Sequence, residues 1–520
     1  MAPREPHRGS YGQAARWAIA IVGLLALMGL SVALRTTAMT TSYWIDEGIA
    51  TGIARYPLWD IPHQLLLDGS PPLYYLLLHC WELAFGTAEP ATRSLSLAAT
   101  IVAIPAAWWL VRAIAGARAA WIAALIAAGH PFLTYYAQET RMYALVALLA
   151  LLFSGALVLV FTQGRRRWIP LAVLAGAALI YTHNWGLFAV AASLGASLLA
   201  VLTGPRRQVR GAVIDGVIVY GAIGVLYAPW VPSLLAQARS TGAPWSRRPG
   251  IDDLFSAVVV PFGYEVTGLL LALITALAAA RIATRDRDGD RPTSRAALLL
   301  IAMIVGTAAV AWSASQLSPA WSVRYLAVSV GPAILLAGLV LARIPTVGAA
   351  VLCLLVVTWA QPLDARISAK SNVKQVVALA QQFGAGKPGD VVISPHPEQL
   401  PVISHYLGAA PRYATALGWQ HDTRMFDWRH ALDRVKRAQA KQVWAAMRAD
   451  VQPGENVLLF VPLLRSANWQ APWTWLARKR AIDWQRVLDA DPALRRMIEV
   501  PKYGDRKVPR GVRVIIYRRR

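Results

Sequence analysis

Apolar residues run along this chain in unbroken blocks, not in the three-to-four spacing of a surface helix, and each block is about as long as a helix needs to be to cross a hydrocarbon core. The blocks fall at residues 17–34, 94–111, 119–136, 142–161, 168–184, 186–203, 211–232, 263–281, 296–313, 323–343 and 345–361. They predict about eleven spanning helices. One further stretch, Pro71 to Leu83, is apolar but short and carries His79 and Glu82. Charge decides its placement. If it does not cross, then Arg4, Arg8 and Arg16, Arg112 and Arg118, Arg165 to Arg167, Arg206, Arg207 and Arg210, the cluster from Arg281 to Arg295, and Arg343 all face the cytoplasm, as the positive-inside bias requires. It is therefore expected to lie along the outer interface as a helix started by its proline pair.

Beyond about residue 364 the pattern changes. Charge becomes frequent and the apolar runs shorten. Val373–Phe383 reads as an amphipathic helix, Asp390–Ser394 and Asn456–Val461 as buried strands, and Gly511–Tyr517 as a terminal strand. The expected organisation is a polytopic α-helical membrane domain over residues 1–362, its outer loop 35–93 included, followed by a small extracytoplasmic α/β domain over 363–520.

Composition agrees with this division. The chain has 520 residues, 56% of them hydrophobic and 15% charged, with a mean hydropathy of +0.42. That is too apolar for a soluble protein. The net charge of +24 does not point to nucleic acid, because the arginines sit in short loops between apolar blocks. Two cysteines far apart, Cys80 and Cys353, make neither a disulfide framework nor a metal cluster. Arg4, Arg8 and Arg16 precede a first block long enough to span, and no small-x-small cleavage site follows it. An uncleaved anchor with a cytoplasmic N-terminus is expected.

The chemistry is concentrated at the outer ends of the helices. Asp46 and Glu47, in Tyr43-Trp44-Ile45-Asp46-Glu47-Gly48, form an acidic pair in the first outer loop. Asp60, His63 and Asp68 follow, and Asp68-Gly69-Ser70-Pro71-Pro72 makes a rigid turn into Leu73-Tyr74-Tyr75. Gln138, Glu139 and Arg141 cluster in a second outer turn, His183 sits in a third, and Arg324 with Tyr325 opens the tenth block. Solvated acids and snorkelling arginines are the plain alternatives. Taken together, however, carboxylates able to accept a proton and guanidinium groups able to grip phosphate oxygens are the parts needed to move a sugar from a lipid phosphate to a hydroxyl.

These residues, in this order, resemble the bacterial GT-C glycosyltransferases, specifically family 39 and the protein O-mannosyltransferase and lipid A aminoarabinose transferase relatives. The motifs are Trp44-Ile45-Asp46-Glu47, Ser70-Pro71-Pro72-Leu73-Tyr74-Tyr75, Arg93, Tyr136-Ala137-Gln138-Glu139-Thr140-Arg141-Met142-Tyr143, Thr182-His183-Asn184 and Arg324-Tyr325-Leu326. The resemblance implies an inverting transferase with a polyprenyl-phosphate-linked donor, a mannose or arabinose-type sugar, and a cell-envelope glycan, glycolipid or protein acceptor. It implies Asp46 as base with Glu47 assisting, Arg93, Arg324 and Arg141 at the donor phosphate, and Tyr74, Gln138, Glu139, His183 and Tyr325 around the substrates. Asp46, Arg93 and Arg324 are expected to converge in one cleft across the lipid headgroup. No cofactor or metal is indicated. A lipid-linked-sugar flippase, or an envelope polymerase or ligase using a diphosphate donor, is the alternative. A transporter would place charge or broken helices at mid-membrane depth.

Overall fold

Each apolar block is helical wherever the computed structural model describes it, which is over residues 8–205, 209–285, 291–359, 370–463, 471–501 and 511–520. Arg4, Arg206, Arg207 and the expected domain boundary at 362/363 lie outside the described residues. Among those described, seven helices are long and apolar enough to cross a membrane, and an eighth is added if Ile251–Phe262 and Val266–Arg281, bent by 83°, make one span. The protein is a multi-pass membrane protein, and among the described residues fewer helices reach full spanning length than there are apolar blocks. Three blocks give shorter helices. Block 119–136 breaks at His130 and Pro131 into Ala117–Gly129 and Pro131–Tyr136, because proline lacks the amide hydrogen that a continuing helix needs. Ile169–Thr182 reaches only about 20 Å at the rise of an α-helix, and Pro345–Trp359 is described only as far as Trp359.

The helices are sorted end to end as the charge pattern requires. Arg295 donates to the carbonyls of Phe161, Thr162 and Ala200, Arg343 donates to Thr293, and Arg165 donates to Ala113. Five inter-helix junctions rich in arginine thus gather at one end of the bundle. The junctions bearing Asp46, Arg141, His183 and Arg324 gather at the other.

At that second end the chain leaves helix α1 (Arg8–Leu34) and forms α2 (Ile45–Ala54), α3 (Ile61–Asp68) and α4 (Leu73–Phe85) before entering α5 (Glu89–Ala115). Helix α4 is the short apolar stretch that the sequence places outside the spans. It buries Tyr74, Tyr75 and Leu78 on one side and exposes Leu83 and Phe85 on the other. Arg35, just past α1, is fully buried and donates to the carbonyls of Thr100, Ala127 and Ala128, which ties the start of this segment to the bundle.

The C-terminal domain is a six-stranded sheet in the order β3-β2-β1-β4-β6-β5. Its strands are β1 (Val391–Ser394), β2 (Arg412–Thr415), β3 (Gly418–Gln420), β4 (Asn456–Pro462), β5 (Leu494–Val500) and β6 (Val512–Arg519). β1 runs parallel to β2 and β4, and the outer pairs are antiparallel. Val392, Leu458, Val514 and Ile516 fill one face of the sheet, and Ile393, Leu459, Trp484 and Ile515 the other. The expected helix and three strands are present. The three shorter or more polar strands β2, β3 and β5 are additional.

This domain sits directly on α2. A Cβ added at Gly48 would stand 2.2 Å from Val402 Cγ2, and one at Gly52 would stand 1.7 Å from the Arg424 carbonyl oxygen. Only hydrogen fits between α2 and the domain at these two points. Polar ties surround the contact: the Tyr56 hydroxyl donates to Asp422 at 2.6 Å, the Tyr43 amide to the Tyr406 hydroxyl at 2.8 Å, and the Trp428 amide to the Leu67 carbonyl at 2.8 Å. Gly52→Ala must push the domain's backbone away, and overpacking of this kind costs about 1–3 kcal/mol. A lowered melting temperature in detergent and faster proteolysis within residues 370–520 are expected. Unchanged melting would contradict the close approach.

Candidate active site

A cavity of about 590 Å³ opens where α2, the helix ends at this side of the bundle and the C-terminal domain meet, a size typical of ligand sites. Asp46 and Glu47, expected in an irregular loop, instead occupy the first turn of α2, where the helix dipole favours negative charge. Adjacent helical positions point about 100° apart. The two acids therefore have different surroundings.

Asp46 lines the cavity, with Oδ2 2.9 Å from Arg324 Nη1. Arg324 lies in the short turn Val323–Leu326, its guanidinium 5.6 Å from the Trp44 ring centre and 5.5 Å from that of Tyr325. Arg141 enters the same cavity and donates Nη1 to the Asp46 backbone carbonyl at 3.2 Å. The Nε atoms of Arg141 and Arg324 are both buried and have no hydrogen-bond partner among the described residues. Two guanidinium groups with unspent donors and one carboxylate thus share a single chamber.

Asp68, at the end of α3, is a second acid in the cavity and accepts from the Tyr75 hydroxyl at 3.5 Å. Burial pushes its carboxyl above the usual carboxylate range, against the opposing pull of Ser70 and of the Arg141 charge. His183 lines the cavity wall. Its Nδ1 accepts from the Trp185 amide at 3.1 Å and its ring rests 4.7 Å from that of Tyr325. Trp185 and Trp321, 5.1 Å apart, continue this wall.

Glu47 and Arg93 are placed elsewhere. Their side chains are 1% and 2% exposed and form a two-pronged ion pair, Arg93 Nε to Oε1 and Nη2 to Oε2, both at 2.8 Å. Arg93 Nη1 donates to the carbonyls of Ala38, Met39 and Thr41. Every nitrogen of this guanidinium is committed, and neither residue lines the cavity. The expected convergence of Asp46, Arg93 and Arg324 is corrected on this point: Asp46 and Arg324 meet, and Arg93 instead fixes the helix that carries Asp46.

Three expected substrate contacts also lie outside the cavity wall. Gln138 accepts from the Ala38 amide at 2.7 Å and donates to the Thr134 carbonyl at 3.1 Å, fastening the segment after α1. Glu139 pairs with Lys370, whose ammonium stands 3.8 Å from the Trp44 ring centre. Tyr74 is fully buried and packs edge-on against Tyr75.

Sequence reasoning missed the wall supplied from the C-terminal domain, where His396, Glu398 and Gln399 follow β1. No motif marks that loop. Asp68 was visible as an acid in a structured turn, and the turn was the signal. Among the described residues no group of three or more His, Cys, Asp or Glu is gathered to hold a metal ion.

Comparison with family models and with curated proteins finds no match by sequence. Solved structures do match. The apo ArnT of Cupriavidus metallidurans superposes with a TM-score of 0.56 at 15% identity over 97% of this chain and 98% of that one. The same enzyme bound to undecaprenyl phosphate gives 0.51 at 14% identity over the same shares. The Archaeoglobus fulgidus oligosaccharyltransferase AglB, in complex with an inhibitory peptide and a dolichol-phosphate, gives 0.54 at 11% identity over 89% of this chain and 72% of that one. This chain shares the fold of these two proteins. The likeness extends over both parts of the chain, the C-terminal domain included, since nearly the whole length of ArnT is covered.

Removing one member of a buried ion pair strands the other charge, at a cost of about 3–5 kcal/mol. Glu47→Ala is therefore expected to lower the melting temperature of the detergent-solubilised protein far more than Asp46→Asn. Equal melting of the two variants would contradict a structural role for Glu47.

Proposed function

We propose that this chain is an inverting glycosyltransferase that moves a sugar from a polyprenyl-phosphate carrier to a hydroxyl acceptor at the extracytoplasmic face of the membrane. The observation that carries the proposal is the Asp46–Arg324 pair, 2.9 Å apart in a cavity that also holds the unspent donors of Arg141. The arginine-rich junctions lie at the far end of the bundle, which supports placing this cavity on the outside with the N-terminus in the cytoplasm.

In this reading the donor phosphate is held by Arg324 and Arg141, whose free Nε groups are suited to its oxygens. Arg324 turns part of its charge from Asp46 to the phosphate when the headgroup enters. Asp46 then accepts the proton of the acceptor hydroxyl as that oxygen bonds to the anomeric carbon. The bond from the anomeric carbon to the phosphate oxygen breaks, and its electron pair leaves with the polyprenyl phosphate, whose charge the guanidinium groups stabilise. Leu187, Phe188 and Leu234 supply an apolar side to the cavity for the start of the lipid chain. His183, Tyr325 and Trp185 enclose the sugar. A mannose or arabinose-type sugar is the cargo that the resemblance implies, and an envelope glycan, glycolipid or protein is the recipient.

Two measurements test this. Asp46→Asn is expected to reduce transfer by about 10²–10⁴-fold, the usual size of general-base catalysis, while binding of undecaprenyl phosphate persists. Activity within about tenfold of wild type would remove Asp46 as the base. Arg324→Ala, assayed over a panel of polyprenyl-phosphate sugars, is expected to raise the donor KM and lower kcat together. An intact donor KM and kcat would contradict phosphate binding by this residue.

A further inference from the structure

One corner of the cavity offers acceptor oxygens that no donor meets. It lies at the turn Asp68-Gly69-Ser70 between α3 and α4, whose backbone is held by two side-chain amides from elsewhere in the bundle. Gln237, in the helix Val231–Ser240, donates Nε2 to the carbonyls of Leu65 at 2.9 Å and Ser70 at 3.1 Å. Asn184, which caps the helix Trp185–Leu202, donates Nδ2 to the Gly69 carbonyl at 3.1 Å. The turn runs close to Val231–Ser240: a Cβ added at Gly69, whose φ is +94°, would stand 2.7 Å from Thr241 Oγ1.

These bonds decide which way each amide faces. A backbone carbonyl accepts only from the nitrogen end of an amide, so both nitrogens are committed to the turn and the oxygens cannot change places with them. Gln237 Oε1 and Asn184 Oδ1 are buried and have no hydrogen-bond partner among the described residues, and both residues line the cavity. Gln237 as a whole is 3% exposed. The Asp68 carboxyl group stands beside them, met by the Tyr75 hydroxyl at a long 3.5 Å, and a carboxyl group keeps acceptor lone pairs in either protonation state. A buried acceptor left unpaired costs about 1–3 kcal/mol, which a ligand's donor recovers. Oxygens from three segments around one turn therefore call for a ligand rich in O–H donors.

Position indicates which group that is. Leu234 lies three residues before Gln237, and Leu187 and Phe188 lie three and four after Asn184, so on each helix the amide shares a face with the apolar side of the cavity offered to the lipid chain. Arg141 is close enough to stabilise the Asp68 carboxylate. The acceptor oxygens thus adjoin both the lipid side and a guanidinium assigned to the phosphate. The sugar carried on that phosphate is the group within their reach.

We infer that Asp68, Asn184 and Gln237 form the pocket that selects the transferred sugar, and that they require free hydroxyls on the ring edge turned toward Gly69 and Ser70. This rests on the transfer reading of the cavity and names the feature of the donor which that reading leaves open. A site built to hydrogen-bond a hydroxyl rejects the analogue that lacks it far more strongly than an apolar pocket rejects a missing methylene, because its own polar groups are left unpaired. Methylation of the same hydroxyl keeps the oxygen and removes the donor. Acceptor oxygens refuse both analogues.

The test uses the purified full-length chain, the polyprenyl-phosphate sugar it consumes, and analogues of that donor in which one hydroxyl at a time is replaced by hydrogen or methylated. At one hydroxyl or more, both changes are expected to lower kcat/KM by about 10²-fold or more. Asp68→Asn keeps the shape of the side chain and exchanges an acceptor oxygen for a donor, and Gln237→Leu removes the amide. Each is expected to lower use of the parent donor by about tenfold or more and to shrink the gap between the parent and a sensitive analogue by about tenfold. Mere loss of structure lowers both donors alike and leaves the gap unchanged, and Asp68→Asn decides the matter where Gln237→Leu fails to fold. Analogues used within about tenfold of the parent at every position overturn the pocket while leaving transfer standing, and so does an unchanged gap in Asp68→Asn. Activity lost to a chelator and restored by a divalent cation, at a concentration that rises in Asp68→Asn, would assign these oxygens to a metal and overturn it too. A wild-type protein that consumes no donor from the whole panel overturns the transfer reading itself, so the two failures are told apart.

Discussion

The site depends on one buried ion pair. Glu47 and Arg93 exchange two hydrogen bonds of 2.8 Å in surroundings almost closed to solvent, and Glu47 also accepts from the Thr140 amide at 2.9 Å. Three segments distant in sequence, α2, α5 and the turn before Tyr143–Phe161, are thereby fixed to one another. Breaking such a pair is costly because the remaining charge has no water to turn to. The consequence is geometric. With Glu47 held inward, the neighbouring Asp46 can only face the cavity, and Arg141 and Arg324 find it there.

Around that fixed point the molecule separates two electrostatic environments within a few residues. The helical bundle gathers its cations at helix ends instead of at mid-membrane depth, which keeps the cost of dehydrating them low. Among the described residues, the C-terminal domain lines the cavity with His396, Glu398, Gln399 and Trp428. Contact between the two is close at Gly48 and Gly52, so the position of His396 relative to Asp46 is set by backbone and not by long side chains. A domain held in this way can form one wall of a site, whereas a tethered domain could only visit it.

Much of this was legible in the sequence. Spanning helices declare themselves by length and apolarity, and the buried strands β1, β4 and β6 by unbroken apolar runs, because in both cases the environment acts on every residue. Charge divided the helix ends into the two groups that lie at opposite ends of the bundle. What sequence could not tell was which of two adjacent acids faces a cavity, since Asp46 and Glu47 are alike in chemistry and differ only in direction. Arg93 was mistaken for the same reason: a guanidinium that grips phosphate and one that grips a carboxylate read identically. β5, Leu-Arg-Arg-Met-Ile-Glu-Val, carries three exposed positions in a row and has no alternation to reveal it. The loop that carries His396, Glu398 and Gln399 has no repeated or motif-like spacing, and only the fold brings it to the cavity that Asp46 lines.

The central claim is that Asp46 and the Arg324–Arg141 pair share one chamber with the phosphate of a lipid carrier. Its most direct test is the structure of this protein determined with undecaprenyl phosphate bound. The account predicts the phosphate oxygens within hydrogen-bonding distance of the Arg324 and Arg141 guanidinium groups, Asp46 open toward the space a sugar would fill, and Arg93 still paired with Glu47. A phosphate bound at the arginine-rich end of the bundle, or one gripped by Arg93 with Asp46 turned away, would contradict it.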